Sequence, residues 1–141
     1  MLEIEKITYE KTILVGIVTQ QQSEEKLREY LDELEFLTQT AGGEVEKRFI
    51  QKMDKPNPKT FVGTGKLEEI DLYIKENKIE TIVFDDELTP AQQKNLSRLL
   101  DCKVLDRTHL ILDIFAQRAQ TSYARTQVEL AQAQYLLPRL T

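Results

Sequence analysis

Gly63-Thr64-Gly65-Lys66 is the stretch of this chain whose residue types most suggest chemistry. A glycine turn opening a helix leaves backbone N–H groups facing outward, where they hold an anion, and a lysine beside them adds charge. Spacing narrows what the stretch can do. A Walker A loop has four residues between its glycines and a Ser or Thr after the lysine. Here one residue separates the glycines and Leu67 follows Lys66. The dinucleotide fingerprint also fails, because Glu68 stands where its third glycine belongs. A structural turn is the first reading, with Gly63, Gly65 and Lys66 as a candidate anion or nucleotide site.

Asp85-Asp86-Glu87 is the second stretch with chemical potential. It follows an apolar strand, the place where ligands sit in open α/β sheets, and three acids there suit a hard cation. Asp85 and Asp86 are therefore metal candidates, against the plainer reading of a solvated loop before a helix cap. The single histidine, His109, lies in the first turn of a helix with no Ser or Cys partner in view. Nucleophilic catalysis needs such a partner. No enzyme constellation remains, and no catalytic residue is assigned.

The elements that must position these residues are read from periodicity. Lys11 to Thr19 holds the run Ile13-Leu14-Val15-Gly16-Ile17-Val18, as in a strand buried on both faces. Ser23 caps a helix with Glu24 and Glu25 in its first turn and Leu27, Tyr30, Leu31, Leu34 and Leu37 at helical spacing; Gly42-Gly43 end it. Glu44 to Met53 is a polar strand suited to a sheet edge. A turn-rich loop, Asp54 to Thr60, leads through Gly63 into a helix carrying Leu67, Ile70, Tyr73 and Ile74. Thr81 to Phe84 is a short strand. Thr89-Pro90-Ala91-Gln92 is a capping box with proline in the first turn, opening a helix with Leu96, Leu99 and Leu100 inside. Lys103 to Leu105 is a fourth strand. The fold class is α/β, a four-stranded mainly parallel sheet with flanking helices and a long protruding C-terminal helix.

That last helix is expected to run unbroken from Asp106 to Thr141, since no Gly or Pro interrupts it before Pro138. Thr108 is the expected N-cap. The helix is apolar nearly all round at its start. It then thins to a seam of Ala124, Val128, Ala131 and Tyr135, with Leu130 and Leu137 beside it. The seam lacks an evident partner in the sequence. The expected division is residues 1–106 as the α/β domain and 107–141 as a truncated arm helix. An exposed stripe favours a weak arm-to-arm homodimer.

Composition sets the class. Of 141 residues, 40% are hydrophobic and 30% charged, as in a globular domain. The single Cys102 excludes an internal disulfide and suits a reducing compartment. No run approaches the roughly 18 apolar residues of a membrane span, and the N-terminus lacks a signal peptide's apolar block. A cytoplasmic location is expected. The net charge of −5 is uneven. Residues 107–141 carry four arginines against Asp113 and Glu129, net +2, leaving −7 for residues 1–106. The first part repels nucleic acid and the last part mildly suits it.

From Phe61 onward the chain resembles the amino-terminal domain of the HflX family of translation-factor-related GTPases. The resemblance rests on Phe61 to Lys66, Phe84 to Leu96, Val104 to Ala119 and Gln127 to Leu140, and is looser before Phe61. His109 departs from it, where the family usually has glycine. The resemblance implies that two long antiparallel helices and a GTPase domain using GTP and Mg follow. It also implies association with the large (50S) ribosomal subunit and splitting or rescue of stalled or stress-idled ribosomes. Nucleotide binding by the amino-terminal domain has been proposed in the family. The expected function is thus a ribosome-binding module, with Arg118, Arg125 and Lys66 as RNA contacts, no cofactor of its own and no GTPase site. Its expected partners are rRNA and the protein's own GTPase domain. The alternative is an ATP-binding or ATPase domain built on Gly63 to Lys66. Arg107 is expected to neutralise Asp106 or Asp85.

Overall fold

The computed structural model describes residues 10–140. Four strands form one all-parallel sheet: β1 (Glu10–Val18), β2 (Gly43–Lys52), β3 (Thr81–Phe84) and β4 (Lys103–Asp106), in the order β2-β1-β3-β4. The most apolar strand, β1, lies inside and the most charged, β2, lies at an edge, as their residue patterns require.

Helices cover both faces. On one, α1 (Glu24–Thr40) and α4 (Arg107–Arg118) pack Leu27, Leu31, Leu34, Leu110 and Ile114 against Leu14, Val83 and Leu105. On the other, α2 (Thr64–Asn77) and α3 (Pro90–Leu99) pack Ile70, Ile74 and Leu96 against Ile13, Val15, Ile82 and Phe84. The α1 side sits close. A Cβ at Gly16 would lie 2.6 Å from Leu27 Cδ1, so glycine is what lets the helix approach β1. Ser23 caps α1 by accepting from Lys26 N at 3.1 Å. The Thr89 box forms in full: Thr89 Oγ1 accepts from Gln92 N at 3.1 Å, and Thr89 N donates to Gln92 Oε1 at 2.9 Å.

Three local expectations are corrected. The residues after β4 do not form one helix: α4 stops at Arg118 and α5 runs from Ser122 to Leu140. Ala119 is extended (φ −69°, ψ 117°), and the Thr121 hydroxyl caps the new helix by accepting from Ala124 N at 3.0 Å. The cap of α4 is Asp106, not Thr108; its carboxylate accepts from His109 N at 2.8 Å. On α3, Leu99 is 54% exposed, and Gln92 is buried instead.

The break gives the seam its cover. With α5 turned back, Ala124, Val128 and Ala131 are half-buried and Tyr135 is buried, and the packing partners are α4 and α3 of the same chain. Leu130 and Leu137 remain exposed on the outer side. Among the described residues no helix is long and apolar enough to cross a membrane.

Candidate functional site

The carboxyl ends of parallel strands collect the polar residues. Between β1 and β3 the chain changes direction across the sheet, and ligands of open α/β sheets sit in the crevice there. A hollow of about 430 Å³ occupies this place, lined by Gln22, Tyr30, Asp85, Asp86, Arg107 and Thr108. Glu87 lines it too, and its one arginine is already engaged. Arg107 donates to Asp85 Oδ1 through Nε at 3.0 Å and Nη2 at 2.7 Å, to Glu33 at 2.7 Å and to the Tyr30 carbonyl at 2.9 Å. The arginine thus takes Asp85 of its two expected partners. Burial pushes the Asp85 carboxyl above its ordinary range, and Arg107 pulls it part of the way back. Asp86 turns to its own loop and accepts from Glu87 N at 2.8 Å. Among the described residues no group of metal-ligating side chains converges. Asp85 Oδ1 is held by a guanidinium.

One strand away lies a denser cluster. Asp106 has no exposed surface and accepts from Leu88 N at 2.8 Å, from His109 N at 2.8 Å and from the Tyr135 hydroxyl. Burial pushes the Tyr135 phenol up, and the Asp106 carboxylate adds to this. Arg139 lies over the Tyr135 ring at 3.7 Å and donates to Leu88 O at 2.7 Å and Tyr135 O at 2.8 Å. His109 meets the edge of Tyr135 and stands 3.7 Å from Asp113. The cluster fixes α5 to the ends of β4 and α3. Sequence reading missed it, although an Asp before a helix and a buried-stripe Tyr that needs a hydroxyl partner were both visible.

The Gly63 turn opens α2 at the same end of the sheet. Gly63 N donates to Gln51 Oε1 at 2.8 Å, and a Cβ at Gly63 would meet that amide at 3.1 Å. A Cβ at Gly65 would meet nothing, so closeness of backbone does not require glycine there. Lys66 pairs with Glu69 at 3.1 Å. The turn therefore lacks the spacing of a nucleoside-triphosphate loop, and Gly63 N and the Lys66 ammonium already have partners within the chain. The ATPase alternative finds no support.

Arg118 and Arg125 flank the bend between α4 and α5, where Arg125 Nε donates to Ala119 O at 3.2 Å. Both are exposed. Since α4 starts at the carboxyl ends of the strands and runs back along the sheet, this bend lies at their amino ends; Gln117 lines a hollow there with Glu10 and Lys103. Lys66 lies at the opposite end. The three expected RNA contacts thus form one pair and one outlier.

Comparison with known proteins agrees with this fold. The family described as GTP-binding GTPase N-terminal matches residues 28–116. A GTPase HflX of Flavobacterium psychrophilum is 79% identical over 141 residues, all of this chain and 34% of the relative. A GTPase HflX of Escherichia coli is 46% identical over 131 residues, 93% of this chain and 30% of the relative. A crystal structure of a GTP-binding protein from Sulfolobus solfataricus in complex with GDP has TM-score 0.68 and 27% identity, covering 92% of this chain and 38% of that one. The chain spans about a third of the length of the curated relatives it matches.

Proposed function

The chain belongs to the HflX family of GTP-binding proteins, as its amino-terminal GTPase-associated domain, and from that premise we propose that it is a recognition module for the large ribosomal subunit. In this reading residues 1–106 form the recognising α/β unit. Residues 107–141 lead to the helical arm and to the GTPase domain, which holds GTP and Mg. The whole protein works in the cytoplasm, where it splits or rescues stalled ribosomes under stress.

One observation supports recognition over catalysis by these residues. The polar groups at the strand ends, where a reacting ligand would sit, are spent on internal contacts: Asp85 on Arg107, Asp106 on three donors, Gly63 N on Gln51. The exposed pair Arg118 and Arg125 is the proposed rRNA contact, with Lys66 a separate second point. Retention of 50S particles by the full-length protein, with and without residues 1–141, tests the reading. Loss on removal is expected, and equal retention refutes it. Isothermal titration of this chain with GTP should give a Kd weaker than about 10 μM, roughly −7 kcal/mol.

A weak homodimer is proposed through the outer side of α5, where Leu130 and Leu137 are exposed one heptad apart. Sedimentation should show mass rising with concentration, and Leu130→Asp should abolish the rise.

A further inference from the structure

We infer that the groove between α3 and α5 is a binding site for the sugar-phosphate backbone of RNA. The inference rests on the recognition reading above and assigns the binding to residues that no motif marked. The groove is a cavity of about 600 Å³, with Arg98 and Arg139 in its walls and no Asp or Glu among its described lining residues. In a chain of net charge −5 this is a local reversal of sign. Such a reversal in a concave site concentrates the field on an anionic ligand.

The two arginines keep their charge available. Arg98 is exposed, and its hydrogen bond at 2.6 Å goes to the neutral Asn95 Oδ1. Arg139 donates to two carbonyls and lies on the Tyr135 ring, so none of these contacts cancels its charge. Its Nε is buried without an acceptor. Asp106, behind Tyr135, is fully buried with its oxygens taken by three donors.

The shape favours a strand over a single phosphate. Arg98 on α3 and Arg139 on α5 line the cavity from two elements, so a strand lying in it meets a cation from each wall. Arg98 also lines an adjoining hollow of about 360 Å³ with Lys59, so the cationic row runs past the first cavity. Leu136 and Leu140 on the facing wall give sugars and bases apolar surface. Because α5 supplies that wall, the site exists only while α5 is docked.

The test is fluorescence anisotropy of a short labelled single-stranded RNA with this chain across a salt series. Lys59→Gln/Arg98→Gln changes two exposed side chains, Arg118→Gln/Arg125→Gln changes the bend contact proposed above, and the exposed pair Lys11→Gln/Lys103→Gln is the matched control away from both. The groove variant should bind about tenfold more weakly, roughly 1.4 kcal/mol. Its slope of log K against log salt should fall by about 0.7 for each phosphate that the variant no longer neutralises. Unchanged affinity and slope in the groove variant, with weakening only in the bend variant, overturns the inference and leaves the recognition reading standing. Competition by polyglutamate as effective as by unlabelled RNA overturns it in favour of an acidic protein partner. If the unaltered chain does not bind RNA and its removal leaves 50S retention intact, the recognition reading falls with it.

Discussion

In the α/β body, β1 and β3 contribute Ile13, Leu14, Val15, Ile82, Val83 and Phe84 with no exposed surface, enclosed by helices on both faces. In α5 one side chain is buried, Tyr135, and its hydroxyl ends on a carboxylate. The body is held by apolar area, which is non-directional and spread over many residues. The last helix is held by a few directional polar contacts at one end and small residues along its stripe. Helices in proteins owe most of their stability to tertiary packing, so α5 depends on those contacts. Asp106 also accepts from Leu88 N and His109 N, contacts that do not involve α5. The difference teaches that the groove wall is separable from the fold that carries it.

The largest expected effect is in the body. Phe84, packed edge-on to Phe61 at 5.5 Å, should cost about 4 kcal/mol on replacement by alanine. Denaturant unfolding measures it, and a loss below about 1 kcal/mol would mean the body is not cooperatively packed. Asp106→Ala should cost about 3 kcal/mol, because three donors, two of them buried, lose their acceptor. This variant joins the two regions. A cost no larger than that of Tyr135→Phe would show that the carboxylate serves α5 alone.

Tyr135→Phe removes only the hydroxyl and should ease α5 opening by about 2 kcal/mol, as for a hydrogen bond to a charged group. Hydrogen exchange should speed up in residues 122–140 and stay unchanged in β1 and β3. Uniform acceleration would refute the separation. Cys102 gives an independent view of the body: burial pushes its thiol up to about 12. Alkylation at neutral pH should be at least about tenfold slower than for a free thiol, and equally slow in Tyr135→Phe. The smallest effect is Thr89→Ala, about 1 kcal/mol from the loss of an acceptor at the start of α3. No loss would show that the capping box adds nothing to the body.

Local chemistry was enough for most of the body. Continuous apolar residues placed β1 inside, charges placed β2 at an edge, and Ser23 and Thr89 marked helix starts, since each signal acts within one turn or one strand. Spacing alone also set Gly63 to Lys66 apart from a nucleotide loop. The stripe Ala124, Val128, Ala131 and Tyr135 was legible, but its partner was not. Ala119-Gln120-Thr121 has no helix breaker, so the sequence reads as one helix; only packing of α5 back onto α4 and α3 outweighs the helical hydrogen bonds given up at the bend. The same long-range packing brings Tyr135 to Asp106 across 29 residues and Arg139 to Leu88 across 51. It also sets Arg139 opposite Lys94 and Arg98. Periodicity reports which face of a helix is apolar. Which surfaces then meet is decided by burial summed over the whole chain.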